Sequence, residues 1–350
     1  MKTLLYSTTE NNQAKGSMNT KMFRLLAVTL ALLHFTATAP LGAQTCANPP
    51  PGLVAWWSGD GHFFDLVGTN HGTPVGGTSF APGEVGGAFA FATTNDWIRL
   101  PHNPAIFAQT VGTVEFWAKI VSLPENTVRL FSVAEAGVAY PNAGTWAVDY
   151  RGGGAVPGAI QVNLVAGGGI VMSAFTPAGT ITDTNWHHLA VVADGVDPIQ
   201  IYVDGAAPAL TGVFGSTADR FFGHAPNASV MAVGAIVRES VFAEGVKMID
   251  ELAIYDRALS AGEVAAIYVA GSAGKCKPLP TLAASLASGG VRLSWPAGAG
   301  SFGLVACPDL TAGSWTAVTN EPVINGTWKE VLLPTATPTQ RFFRLQPMGN

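Results

Sequence analysis

An all-β fold is predicted by three features of the sequence. Short apolar runs with period-two alternation recur along most of the chain, each stopped by Gly, Pro, Asn or Asp. The composition is turn-rich and weakly charged, with 41 glycines, 23 prolines and 12% charged residues against 48% hydrophobic ones. Only one convincing helix signal appears, late in the chain, so alternating βα units are excluded.

Strands are predicted at Leu53–Trp57, Ala88–Phe91, Trp97–Leu100, Thr113–Ile120, Arg129–Val133 and Trp146–Tyr150. The series continues through Ile160–Val165, Trp186–Val192, Ile199–Val203, Val230–Val233 and Met248–Tyr255. Each has strand length and composition. Asp194-Gly195 and Asp204-Gly205 follow strand-like runs, and Asp-Gly suits a hairpin because both central positions tolerate positive φ. The last strand leads into the helix. Ser260 and Glu263, three residues apart, form a capping box, and Gly271 ends the helix. Lys275-Cys-Lys-Pro-Leu-Pro280 reads as a linker. Beyond it Val291–Pro296, Phe302–Ala306, Trp315–Val318, Trp328–Leu333 and Arg341–Leu345 predict a second, smaller β-sandwich with a buried strand Trp.

At the N-terminus Lys21 and Arg24 precede the apolar run Leu25–Phe35, with small residues at Ala37, Ala39, Gly42 and Ala43. This pattern predicts a secretory signal with cleavage after Ala43 and a secreted or cell-surface destination, a single-pass anchor being the alternative. No other run is long enough to span a bilayer, so no membrane span is expected in the mature chain. A net charge of −5 without internal Lys/Arg runs leaves little to neutralise phosphates, which excludes nucleic acid as an expected partner.

The segment Ile249-Asp-Glu-Leu-Ala-Ile-Tyr-Asp-Arg-Ala-Leu-Ser260, followed by Glu263-Val and Ile267-Tyr268, resembles the closing strand and helix of laminin G-like jelly rolls in the concanavalin A-like lectin/glucanase superfamily. Four further motifs match in the same order: Gly52-Leu-Val-Ala-Trp-Trp-Ser-Gly-Asp-Gly61, Asn70-His-Gly-Thr73, Thr113-Val-Glu-Phe-Trp-Ala-Lys119, and the pair Trp186–Gly195 with Ile199–Gly205. With residues 1–43 read as extension and signal, the resemblance implies a concanavalin A-like jelly roll over residues 44–276. Residues 277–350 resemble a small fibronectin type III-like module.

That resemblance implies an exported, non-catalytic recognition module for carbohydrate or a cell-surface partner. A structural or adhesive surface component is the alternative, and a divergent glycoside hydrolase or lyase a lesser one. If the first and last strands are neighbours, Cys46 and Cys276 would join the ends of the jelly roll as a disulfide, the alternative being two separate thiols. Cys307 is left as a small buried apolar residue of the second domain. A structural calcium is implied where an early loop meets the closing strand. Asp60, Asp65 and Asp250 would ligate it, with Asn70 and the Gly72 carbonyl as auxiliaries. Alternatively Asp60 and Asn70 are turn residues and Asp250 caps a loop.

Other residues give weaker signals. His187 and His188 alternate faces of one strand, so they cannot jointly hold zinc. Glycosidases of this superfamily carry paired acids as E-x-D-x-x-E on a strand, and no such string occurs; Asp250 and Glu251, being adjacent, are expected on opposite faces. Trp56, Trp57, Trp97, Trp117, Trp146 and Trp186 sit in core patterns. Tyr140, Phe221 and Phe222 are expected at loop tips, where they could form a ligand surface.

Overall fold

The computed structural model describes residues 45–121, 123, 125–196, 198–215, 220–244, 246–298, 302–308, 314–334 and 341–347. The signal reading of residues 1–43 lies outside them. In chain order the first part carries β1 (Leu53–Trp57), β2 (Thr73–Val75), β3 (Ser79–Pro82), β4 (Gly87–Phe91), β5 (Trp97–Leu100), the single-turn α1 (Pro104–Phe107) and β6 (Gly112–Ile120). Next come β7 (Thr127–Ala134), β8 (Thr145–Arg151), β9 (Ala159–Ala166), β10 (Gly169–Phe175), β11 (Trp186–Ala193), β12 (Gln200–Val203), β13 (Thr211–Gly215) and β14 (Val230–Val233). The hairpin β15 (Ile236–Val237) and β16 (Val241–Phe242), the long β17 (Lys247–Tyr255) and α2 (Ala261–Ala270) follow.

These strands form a jelly roll of two antiparallel sheets. One runs β12-β11-β6-β17-β4-β3, with β1 also paired to β17; the other runs β13-β10-β9-β8-β7-β14-β5-β2. Alternation fixes which side chains fill the space between them. Val114, Phe116 and Ala118 of β6 face Trp146, Val148 and Tyr150 of β8 and Ile160, Val162 and Leu164 of β9 in one apolar core. The outer face of the first sheet is covered by α2, whose Val264 and Ile267 pack with Leu259 on Trp56, Ala253 and Tyr255. The predicted capping box is formed: Ser260 Oγ accepts from Glu263 N–H at 3.3 Å, and Glu263 Oε2 accepts from Ser260 N–H at 2.8 Å.

Because β17 is central, the ends of the domain meet beside it. Cys46 and Cys276 form the disulfide, with Cα atoms 4.9 Å apart, and Ala47 bridges Lys275 in parallel. The expectation that Asp250 and Glu251 alternate faces fails, for a local reason. The β17–β6 register shifts between Asp250 and Ala253, and Glu251 takes φ 56°. Such a bulge re-aims a side chain that strict pleating would send to the other face. Glu251 is then near enough for its charge to disfavour ionised Asp250.

The second part is a small sandwich of β18 (Ala283–Ala287), β19 (Gly290–Pro296), β20 (Phe302–Cys307), β21 (Thr316–Ala317), β22 (Val323–Asn325), β23 (Trp328–Pro334) and β24 (Phe342–Pro347). A four-stranded sheet, β18-β19-β23-β22, faces a three-stranded one, β21-β20-β24. Leu293, Trp295, Leu304 and Val331 make its core, and Cys307 is buried as a small apolar residue. Among the described residues, no helix is long and apolar enough to cross a membrane.

Candidate functional site

The outer face of the eight-stranded sheet is divided in two. Its β14 and β5 half is apolar: Trp97, Ala134, Val230 and Ala232 are roofed by Ile236 and Val237 of the β15–β16 hairpin. Its β7 to β10 half carries polar side chains instead. The alternation that sends Trp146, Val148 and Tyr150 inward turns Asp149 and Arg151 outward, and in the same way presents Gln161 and Asn163 from β9.

Asp149 is the centre of this set. Its cross-strand neighbours are Arg129 on one side and Gln161 on the other. Arg129 Nη1 donates to Asp149 Oδ2 at 2.6 Å, and Asn163 Nδ2 donates to the same oxygen at 3.2 Å. Gln161 Nε2 donates to Asn163 Oδ1 and, at 2.9 Å, to Ser173 Oγ, while Arg151 Nη1 donates to Gln161 Oε1 at 3.2 Å. Asp149 is 0% exposed. Burial raises its pKa above the ordinary carboxylate value, although Arg129, Arg151 and Asn163 pull the other way. Among the described residues, no hydrogen-bond partner stands beside Asp149 Oδ1 or the Nε atoms of Arg129, Arg151 and Arg238. Such orphaned buried groups are rare in native structures and each calls for a cause.

The hairpin wall completes a cavity of about 280 Å³ over this set. Arg238 lies across the rings of Tyr140 and Phe242, 5.1 and 5.2 Å from their centroids. Tyr140 is 54% exposed, as expected of a loop tip. A second cavity, about 330 Å³, lies where the early loop of the jelly roll meets the small sandwich, beside Phe64, His71, Lys277 and Trp328. It has fewer converging polar side chains than the sheet face, which is therefore the better candidate site.

Phe221 and Phe222 correct the sequence reading. Both are 0% exposed, stacked on each other at 4.0 Å and packed edge-on against Trp146. The flanking charged and glycine residues suggested a loop tip, but two adjacent phenyl rings bury more apolar area than a surface turn can leave exposed. The turn from Phe222 to His224 accordingly sends the Phe222 ring into the core while Gly223 stays exposed.

The predicted calcium ligands do not converge on one point. Asp65 Oδ1 accepts from Trp56 N–H and Val67 N–H, both at 3.0 Å, and Oδ2 accepts from Asn70 N–H at 3.1 Å and Asn70 Nδ2 at 2.8 Å. Asn70 Oδ1 accepts from Asn103 Nδ2 at 2.8 Å. These two residues organise the early loop, and their oxygens are engaged by it. Asp60 and Asp250 instead clasp the β3–β4 turn, accepting from Gly87 N–H at 3.0 Å and Val85 N–H at 2.9 Å, while Lys277 pairs with Asp60. The turn needs its glycines, since a Cβ on Gly83 would lie 2.5 Å from Asp250 Oδ2. Among the described residues, no group of three or more His, Cys, Asp or Glu is placed to hold a metal ion. Asp65 and Asn70 thus serve the early loop and Asp60 and Asp250 the β3–β4 turn, with Asp250 Oδ1 left buried and without a hydrogen-bond partner among the described residues.

Sequence reasoning also missed a buried ionic cluster between β6, β11 and β17. Lys275 Nζ lies 2.8 Å from Glu115 Oε1 and 3.3 Å from Glu251 Oε2, and 5.0 Å from the Trp56 ring centroid. His188 Nε2 lies 3.0 Å from Glu115 Oε2. Burial alone would raise Glu115, but Lys275 and His188 hold it below the ordinary value; burial would lower Lys275, but Glu115 and Glu251 hold it above. The cluster is sealed from solvent and ties the chain beside Cys276 to the sheet. His187 belongs to a separate surface group with Asp204 at 2.8 Å and Asp183 at 3.1 Å, so the two histidines are indeed apart.

Residues 92–265 match a laminin G family model described as the concanavalin A-like lectin/glucanases superfamily. Comparison with curated proteins found no match. Among solved structures, the chain is similar to a Trypanosoma rangeli sialidase in complex with sialic acid, with 17% identity, a TM-score of 0.47, and 64% of this chain against 34% of that one. The chain thus spans about a third of that sialidase. It is also similar to the binding domain of Paraclostridial Mosquitocidal Protein 1, with 14% identity, a TM-score of 0.46, and coverage of 70% and 64%. The binding domain of botulinum neurotoxin serotype C1 gives 8% identity, a TM-score of 0.47, and coverage of 62% and 51%.

Proposed function

We propose that this protein is an exported, non-catalytic recognition module that binds carbohydrate on the outer face of the β7–β10 half of its jelly roll. The observation that carries the reading is the Asp149, Gln161, Asn163 and Arg151 set, held rigid by strands and open to a cavity beside the exposed ring of Tyr140. Amide and guanidinium groups on one sheet face, oriented by the buried Asp149, can donate to and accept from neighbouring hydroxyls of a sugar ring, and an aromatic ring can cover its apolar face. A site built on strands keeps that geometry better than one built on loops.

Binding is favoured over cleavage by the acid count. Glycoside hydrolysis by the usual route needs two carboxyl groups, roughly 5 to 9.5 Å apart. Among the described residues lining this cavity, Asp149 is the one carboxyl, and it is paired with Arg129. The disulfide supports an oxidising, extracellular compartment and so a secreted or surface location, with a surface glycan or glycoprotein as partner. We read the small sandwich as a fibronectin type III-like accessory module, on its four-plus-three strand arrangement. The test is a glycan and polysaccharide array probed with the purified chain and with Asn163→Ala, alongside an assay for reducing ends. Saturable binding that Asn163→Ala weakens, with no reducing ends released, supports the reading. Release of reducing ends, or no binding to any glycan, overturns it.

A further inference from the structure

The charge in the candidate site runs against that of the whole chain. The chain carries −5 overall, yet the cavity is lined by three guanidiniums, Arg129, Arg151 and Arg238, and one carboxylate, Asp149. Among the described residues the ion pairs of this face are Arg129 with Asp149 at 2.6 Å and with Glu244 at 3.7 Å; neither Arg151 nor Arg238 makes one. The Nε atoms of all three arginines are buried with no hydrogen-bond partner. Arg238 is also fixed in place, between the rings of Tyr140 and Phe242. Burial lowers its pKa first and the repulsion of the Arg129 charge lowers it further, while Asp149 and Tyr140 act to raise it.

We infer that the sugar taken by this site is acidic, and that its carboxylate or sulfate oxyanion seats between Arg238, Arg151 and Arg129. The inference rests on the recognition reading above. An oxyanion is the ligand group that satisfies several guanidinium N–H donors together, and planar arginine forks match it in geometry as well as in charge. Bound there, it would offset the mutual repulsion of the arginines, which a neutral hydroxyl cannot do. Asp149 Oδ2 accepts from Arg129 and Asn163, whereas Arg151 and Arg238 make no ion pair among the described residues, so these two carry the charge left for the anion.

The test is titration of the purified chain with polygalacturonate, dextran sulfate and neutral dextran and galactan, by calorimetry at low and high salt. At least one anionic polymer should bind about tenfold or more tightly than the neutral ones. That preference should shrink as salt rises. Arg238→Met and Arg151→Gln should each lose it, with unchanged circular dichroism and melting showing that the fold is intact; should Arg238→Met fail to fold, Arg151→Gln alone decides. Polygalacturonate against dextran sulfate tells a carboxylate from a sulfate. Neutral polymers binding as tightly as the anionic ones, lost in Asn163→Ala, would overturn the inference while leaving carbohydrate recognition standing. Anion binding undiminished in a folded Arg151→Gln would also overturn it, by placing the anion elsewhere. No binding to any of the four would sink both.

Discussion

Arg129 and Asp149 stand directly opposite one another on β7 and β8, with Nη1 donating to Oδ2 at 2.6 Å on the outer face of the eight-stranded sheet. Asp149 has no exposed surface. Removing one member of a buried ion pair leaves the other charge uncompensated, which costs far more than an exposed pair contributes. Asp149→Ala should therefore destabilise the chain by about 3 kcal/mol, and Asp149→Asn, which keeps the shape, by less. Denaturant unfolding checks this; an alanine variant as stable as the parent would show that the Arg129 charge reaches solvent freely.

The disulfide gives a second prediction. Cys46 and Cys276 are 230 residues apart, so the bond restricts a very long loop in the unfolded chain. The chain-entropy account sets a ceiling of about 5 kcal/mol for such a loop. Replacing both cysteines with serine should lower the melting temperature markedly, and a non-reduced digest of the parent should yield the two peptides linked. Freely alkylated thiols at both positions would contradict the closure of the domain at its ends.

Much of the fold was legible because its signals are local and periodic. Leu252, Ile254, Leu259, Val264 and Ile267 recur at strand and then helix spacing in the sequence, and all are buried. Trp56, Trp57 and Trp146 are core residues, as alternation requires. Of the strands missed in the jelly roll, Thr73–Val75, Ser79–Pro82 and Thr211–Gly215 are short edge elements with little periodicity to read, whereas Gly169–Phe175 is interior and was hidden by the glycine run at its start. The site was illegible for a different reason. Arg129, Asp149 and Asn163 come from three strands, and only the β7-β8-β9 register brings them together. Phe221 and Phe222 misled because their immediate neighbours are polar, whereas burial is decided by the Trp146 side of the sheet packed against them.

A third prediction concerns the closing strand. β17 pairs with β6 on one side and with β4 and β1 on the other, so it holds the first sheet together. Ending the chain at residue 248 removes most of it along with α2, and would expose sheet edges and the Trp56 apolar face. The fragment 44–248 should aggregate on expression or refolding. A soluble fragment with a cooperative melt would show that the other strands close the sheet without it.

Acid and alkaline stability should respond to different residues. Burial raises Glu251 to about 7, against the opposing pull of Lys275 and Lys277. Its folded value lies above the ordinary carboxylate one, so its contribution is fully present below about pH 4.5 and is lost as pH rises through about 7. Trp56 Nε1 donates to Glu251 Oε2 at 3.1 Å, so Glu251→Gln keeps an acceptor there and removes the charge. Stability of the parent minus that of the variant should thus decline from pH 4.5 to 8, measured by denaturant unfolding at fixed ionic strength. A flat difference would mean that Glu251 stays ionised throughout, held by Lys275.

Lys247 gives the opposite sign in a separate window. It is fully buried at the start of β17, with Nζ 3.1 Å from the Glu244 carbonyl and 5.4 Å from the Phe91 ring centroid. Burial lowers its pKa to about 8, although Glu244 and Asp96 act to raise it. The folded value is below the ordinary lysine value. The contribution of this group is therefore fully present only above about pH 10.5 and is lost as pH falls through about 8. At neutral pH the folded chain carries a buried ammonium at a cost. Lys247→Met keeps the unbranched stem and removes the charge, so the variant should be more stable than the parent at pH 7 by roughly 1 to 3 kcal/mol. That gap should narrow as pH rises from 8 toward 10.5, because the parent sheds its proton in the folded state. Urea unfolding of both proteins at pH 6, 7, 8, 9 and 10 measures it. Equal stability at pH 7, or a gap that does not change with pH, would mean that the Glu244 carbonyl and the Phe91 ring solvate the ammonium as well as water does.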